Sequence, residues 1–196
     1  MNLSKIIAGE VTYFDIETTD VSVARDDITR ITILQEINGH EVFHWARLIR
    51  PTKPISDGAA KVSGITNDMV EHAPTFNEIA AQLVAILNNT NVVCHYGLKF
   101  DIPFLARHIE TAGIKMNTGI LDTWVWAKHI MDVKKYGMLP LAEEFGLLGG
   151  LDRADPFYHC RLNARLLKKL VEMDPRHLGA GTVADAIEAQ SRILPE

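Results

Sequence analysis

VTYFDIETTD, residues 11–20, decides how this chain is read. Its apolar Val11, Tyr13 and Phe14 suit a buried central strand. Asp15 and Glu17 stand two positions apart, so on a strand both carboxylates leave the same face. A buried strand that aims two carboxylates at one point needs a cation to offset their repulsion. A second stretch, CHYGLKFDIPFL (residues 94–105), sets Asp101 at the start of a helix. Clustered oxygen donors suit hard divalent ions such as Mg²⁺ or Mn²⁺. That combination points to metal-assisted attack on a phosphodiester.

Outward from this strand, residues 30–37 and 40–48 read as the next two strands, joined at Asn38-Gly39, a strong hairpin signal. Residues 50–57, with Pro51 and Pro54, form an extended crossing segment. Thr75 caps a helix over residues 76–87, with Glu78 completing a capping box. Residues 92–94 read as a short buried strand, residues 102–111 as a helix stopped by Gly113, and residues 120–121 as a last strand. Helices are expected over residues 122–132, 139–145 and 159–173, the last with Leu162, Leu166, Leu167 and Leu170 on one stripe. This order predicts an α/β domain, a mixed sheet of about five strands with the first three antiparallel and helices on both faces. The domain is expected to fill residues 1–175, with residues 176–196 a helical extension.

The bulk properties narrow the class. A chain of 196 residues, 47% hydrophobic and 23% charged, fits one ordinary globular domain. No apolar run approaches the length of a membrane span, and the start does not read as a signal peptide. Two cysteines are too few for a disulfide framework, so a reducing cytoplasm is expected. A net charge of −5 argues against a protein that coats nucleic acid non-specifically, but not against a cleft holding a few nucleotides. The basic groups Lys128, Lys134 and Lys135, and Arg161, Arg165, Lys168 and Lys169, read as solvated helix faces.

Asp15 and Glu17 in DIET, Asp101 after Phe100, and a late helix carrying a histidine together resemble the DEDD superfamily of DnaQ-like 3′–5′ exonucleases, with their ribonuclease H-like fold. The resemblance spans roughly residues 10–173. RPTKPISDGAAKVSGIT (residues 50–66) resembles the family's crossing segment, LDTWVWAK (residues 121–128) its DT-plus-helix segment, and LPLAEEFGL (residues 139–147) its short helix before the last motif. The second motif is spaced like the NLKYD of polymerase I proofreading domains, with Gly97 in place of the Asn.

The third motif departs further. In DPFYHCRLNARLL (residues 155–167), Asn163 stands where the family has its fourth acid. The family precedes that acid with a His five positions earlier or a Tyr four positions earlier. Here His159 is four before Asn163 and Tyr158 is five before it. An Asn offers one neutral carbonyl oxygen in place of a carboxylate, so metal binding and activity should fall. Three origins fit: an introduced inactivating exchange, natural variation tolerated at a cost, or a domain that has lost catalysis. The otherwise intact cluster favours the first two.

The resemblance implies a function and a site. Asp15, Glu17, Asp101 and Asn163 would hold two divalent cations, Mg²⁺ or Mn²⁺. His159 would act as general base or orient the water, and is favoured over Tyr158 because imidazole titrates near neutrality. Backbone around Ile16 and Thr18, with Phe100 and Tyr158, would bind the terminal nucleotide. The implied activity is release of nucleoside 5′-monophosphates from a 3′ end, single-stranded DNA before RNA. Two alternatives stand beside it: a catalytically weak domain that binds nucleic-acid ends or a polymerase, and an RNA trimmer of the ribonuclease T or oligoribonuclease type. The implied partners are nucleic acid with a free 3′ end, and a second copy of the chain or a polymerase. Phe14, Trp124 and Trp126 read as core, and His95 as a packing or hydrogen-bonding group.

Overall fold

The alternation that begins at Val11 sorts the central strand onto two faces. In the computed structural model, which describes residues 9–174 and 182–192, strand β1 (Glu10–Thr18) lies in the middle of a five-stranded sheet. Strand β2 (Ile28–Ile37) and strand β3 (His40–Leu48) continue it antiparallel on one side. Their hairpin turns at Asn38 and Gly39, whose φ angles of 54° and 74° fit the two-residue turn that Asn-Gly favours. Strand β4 (Asn91–Cys94) and strand β5 (Gly119–Asp122) extend the sheet parallel to β1 on the other side, giving the order β3-β2-β1-β4-β5. This is the expected mixed sheet with its first three strands antiparallel.

The helices run in chain order between and after the strands. Helix α1 (Asp57–Ser63) and helix α2 (Asn67–Val70) punctuate the crossing segment. Helix α3 (Phe76–Leu87) starts at Thr75, whose N–H and hydroxyl both donate to the Glu78 carboxylate. Helix α4 (Asp101–Thr111), helix α5 (Thr123–Ile130), helix α6 (Met138–Glu144), helix α7 (Tyr158–Met173) and helix α8 (Val183–Ser191) complete the fold. Helix α5 is shorter than the expected residues 122–132, because Asp122 ends β5 and caps the helix by accepting the Trp124 N–H.

Phe14 and Ile16 point to one face of the sheet, where α3 and α4 bury Leu83, Leu87, Phe104 and Leu105 against them. Val11 and Tyr13 point to the other, where α5, α6, α7 and α8 pack. Helices therefore cover both faces. Asp15 and Glu17 follow the odd positions, so β1 carries them to the α7 face. The leucine stripe of α7 is fully buried: Leu166, Leu167 and Leu170 in this layer, and Leu162 against Ala142 and Tyr158. Helix α8 covers the edge strand through Gln190, which accepts the Asp122 N–H and donates to the Ile120 carbonyl. The expected junction at residues 175–176 lies outside the described residues. Among those residues, no helix is long and apolar enough to cross a membrane.

Candidate active site

β4 and β5 end level with each other beside Phe14, and β1 runs on past them to Thr18, carrying Asp15 and Glu17 at the carboxyl ends of the parallel strands, where ligand sites in open α/β sheets form. The register steps between Glu17 and Thr18, a bulge that turns the end of β1 beside its two acids. Helix α7 crosses this end with His159 in its first turn, and α7 is anchored by contacts of Thr32 with the Pro156 carbonyl and of Cys160 with the Thr32 carbonyl. His159 Nδ1 lies 3.3 Å from Asp15 Oδ2 and 3.9 Å from Glu17 Oε1. Ligand atoms of Asp15, Glu17 and His159 all fall within 4.8 Å of one another.

Three charge effects follow from this crowding. Burial, reinforced by the Asp15 charge, pushes Glu17 up from 4.5 to about 7. Burial works against a charged imidazole at His159, yet its hydrogen bond to Asp15 and the Asp15 and Glu17 charges raise it from 6.5 to about 9. Asp101 is also pushed well up, first by burial and then by Asp15. The cluster is thus short of positive charge. An imidazolium supplies part of it, and Arg30, directly across from Glu17 in the β1–β2 register, supplies more through a 3.2 Å contact. Hard oxygen donors with raised carboxyl pKa values fit a divalent cation.

Asp101 stands at the first turn of α4, 6% exposed, and its Oδ1 accepts the Ile16 N–H at 3.1 Å. It faces Asp15 closely enough to feel its charge, but it is not one of the tight trio. Its position depends on Gly97: an added Cβ there would overlap Cys94 Sγ and sit 3.5 Å from Asp101 Oδ2. Glycine at this position is therefore required by packing.

Asn163 is 2% exposed on α7, one turn beyond His159. Its Oδ1 lies 2.7 Å from the Thr123 hydroxyl. That hydroxyl also lies 3.0 Å from the Cys94 carbonyl and 2.9 Å from His95 Nδ1, while His95 Nε2 meets the Tyr136 carbonyl at 2.9 Å. Burial lowers the His95 pKa, which favours the neutral ring in this chain of hydrogen bonds. Asn163 thus belongs to a neutral network behind the carboxylates. His95 bonds rather than packs freely, as expected for a structural histidine.

The remaining expected residues fall as follows. Tyr158 packs with Ala142 and Leu162 and tilts against the His159 ring at 5.4 Å between centroids, while His159 is the α7 group that meets Asp15 and Glu17. The Ile16 N–H is occupied by Asp101, and the Thr18 hydroxyl donates to the Asp20 carbonyl at 2.7 Å. Phe100 leans on Phe104 at 5.0 Å. Phe14 and Trp126 are core, 2% exposed each. Trp124 departs from that expectation: it is half-buried at the surface. Of the basic groups read as solvated faces, Arg161 bridges Glu41 and Asp155, and Lys168 pairs with Glu36.

Two residues went unmarked in the sequence reading. Asp122, 1% exposed, accepts the N–H groups of Tyr96, Leu98 and Trp124 at 2.8, 3.0 and 2.9 Å. It fixes the loop that delivers Asp101. The signal was present in LDTWVWAK, but an Asp before a helix reads first as a simple cap. Arg30 was hidden because its partner depends on the β1–β2 register, which no turn signal sets.

The exonuclease family model RNase_T matches residues 12–149, covering Asp15, Glu17 and Asp101 and ending before His159 and Asn163. The chain is 31% identical over 140 residues to DNA polymerase III PolC-type of Caldanaerobacter subterraneus, covering 71% of this chain and 10% of that one. It is 28% identical over 166 residues to the PolC-type polymerase of Thermotoga petrophila, covering 81% and 12%. The chain thus spans about a tenth of the length of these curated relatives. Exonuclease X in complex with 5′ overhanging duplex DNA superposes with a TM-score of 0.71 at 21% identity, covering 92% of this chain and 99% of that one. E. coli exonuclease I in complex with a dT13 oligonucleotide gives 0.73 at 12% identity, covering 86% and 42%. With its fold, its paired acids and this match, the chain belongs to the RNase_T exonuclease family, within the DEDD superfamily.

Proposed function

We propose that the chain is a metal-dependent 3′–5′ exonuclease that releases nucleoside 5′-monophosphates, from single-stranded DNA in preference to RNA, and that Asn163 weakens it. The observation that carries this reading is the meeting of Asp15, Glu17 and His159 within 4.8 Å, on strand and helix positions far apart in sequence. Exonuclease I in complex with a dT13 oligonucleotide and exonuclease X in complex with 5′ overhanging duplex DNA share this fold, which supports a DNA end as substrate.

Asp15, Glu17 and Asp101 would hold divalent cations, with Asn163 offering a neutral oxygen. Bound there, such ions supply charge neutralisation and Lewis acidity at the scissile phosphate. His159, 3.3 Å from Asp15, would orient a water and take its proton. In the free protein the two carboxylates hold it protonated, at about 9. Once their charge is offset, that pull is gone and the imidazole can act as a base near neutral pH. Arg30 steadies Glu17, and Asp122 holds the loop that positions Asp101.

The engagement of Asn163 by Thr123 favours one further reading, a domain that binds ends weakly and serves a polymerase partner. A 5′-labelled single-stranded DNA, its RNA counterpart and Mg²⁺ or Mn²⁺ separate the two. The exonuclease reading predicts that Asn163→Asp shortens the DNA stepwise from the 3′ end, orders of magnitude faster than the parent, and that Asp15→Ala leaves it intact. No gain from Asn163→Asp would select the binding reading.

A further inference from the structure

The two aromatics of the second motif's surroundings are mounted on one clamp. Asp122 accepts the backbone N–H groups of both Tyr96 and Trp124, at 2.8 and 2.9 Å. The rings meet edge to face, 5.1 Å between centroids and 72° apart. Tyr96 is 42% exposed and is held at a φ of 63°, which turns its side chain outward from the loop leading to Asp101. Lys99 Nζ and Lys128 Nζ lie 5.0 and 4.8 Å from the Trp124 ring centroid. Neither ammonium pairs with a carboxylate among the described residues, although the chain carries a net charge of −5. The half-buried Arg161 and Lys168, by contrast, are tied to acids.

We propose that Tyr96, Trp124, Lys99 and Lys128 form a stacking site for a single nucleic-acid strand, outside the acidic site and contiguous with it. This inference rests on the exonuclease reading of that acidic site. A partly exposed tryptophan flanked by unpaired ammonium groups is the arrangement that receives a base on its ring and phosphates on its lysines. The site takes nucleotides of the strand 5′ to the one being cleaved, since the same loop delivers Asp101 to the terminal phosphodiester. It reads no sequence, because any base offers a π-face. In the free protein the lysines cover the tryptophan by cation–π contact. A bound strand exchanges those contacts for stacking and phosphate pairing.

The tryptophans make the test direct. Trp45 and Trp126 are 5% and 2% exposed, so a change in emission on adding a strand reports Trp124. The probe is a ten-residue oligo(dT) with phosphorothioate linkages, in EDTA, followed by tryptophan emission and by anisotropy of a 5′ fluorophore. The site predicts quenching on binding that is absent in Trp124→Phe, while that variant, which keeps a ring, binds within about threefold of the parent. Trp124→Ala should weaken binding on the order of tenfold, the effect of one lost stacked base. Lys99→Gln and Lys128→Gln should each lower the slope of log affinity against log salt by about 0.7. Melting temperatures close to the parent's establish that the variants fold. Absent binding by the parent, binding without quenching, or Trp124→Ala binding as tightly as the parent would overturn the site. A quenching complex retained in Asp15→Ala, in a protein whose Asn163→Asp form cuts nothing, supports the stacking site and removes the exonuclease reading alone.

Discussion

At Asp15, Glu17 and His159, three ionisable side chains share one small volume, and the shifts of Glu17 and His159 set a pH dependence. Glu17 and His159 both have folded-state pKa values above their ordinary ones, about 7 and about 9. Each therefore binds its proton more tightly in the folded state. Their contributions to stability are full below about 4.5 and 6.5 and are lost as pH rises through 7 and 9. The metal-free protein should melt at progressively lower temperature between about pH 4.5 and 9, through Glu17 in the lower part and His159 in the upper part, and His159→Gln should flatten the upper part of that decline. A thermal melt series in EDTA checks both. The same protons compete with cations, so apparent Mn²⁺ affinity should rise over this range. Asn163→Asp adds a fourth buried acid near the others. In EDTA it should lower the melting temperature, and saturating Mg²⁺ should more than restore it. Most of these residues were legible because Asp-x-Glu on a strand and Asp at a helix start have fixed directions. Thr123 was not, since its role depends on three neighbours, His95, Cys94 and Asn163, that meet only in the fold.

Among the elements, the loop between β4 and α4 and the helix α7 carry the site. Gly97→Ala would drive a methyl into Cys94 and should cost about 1–3 kcal/mol in urea denaturation, with activity lost because Asp101 shifts. Asp122→Ala would strip the acceptor from three N–H groups and should cost at least about 2 kcal/mol. Leu166→Ala on the α7 stripe should cost about 2–5 kcal/mol without changing the relation of His159 to Asp15, so its kcat should hold at temperatures where it is folded. Element positions were readable wherever a local signal fixed them: the Asn38-Gly39 turn, the Thr75–Glu78 box and the period of α7 all work within a few residues. Helix α5 was misjudged at both ends because Asp122 serves strand and cap together, and the chain after Ile130 leaves the helix to bring the Tyr136 carbonyl to His95.

For the whole molecule, the order β3-β2-β1-β4-β5 places acids from residues 15 and 17 beside a histidine at residue 159. No local pattern dictates that strand order. It became readable through the resemblance, which supplied the fold that joins the motifs. The edge of the sheet at β5 is covered by α8, a contact that composition alone did not foretell. The central claim is that Asp15, Glu17 and Asp101 gather divalent cations. Calorimetric titration of the metal-free protein with Mn²⁺ tests it most directly, comparing the parent chain, Asp15→Ala and Asn163→Asp. Saturable binding by the parent, its loss in Asp15→Ala and tighter binding in Asn163→Asp are the predicted results. Identical weak heats for all three proteins would contradict the account.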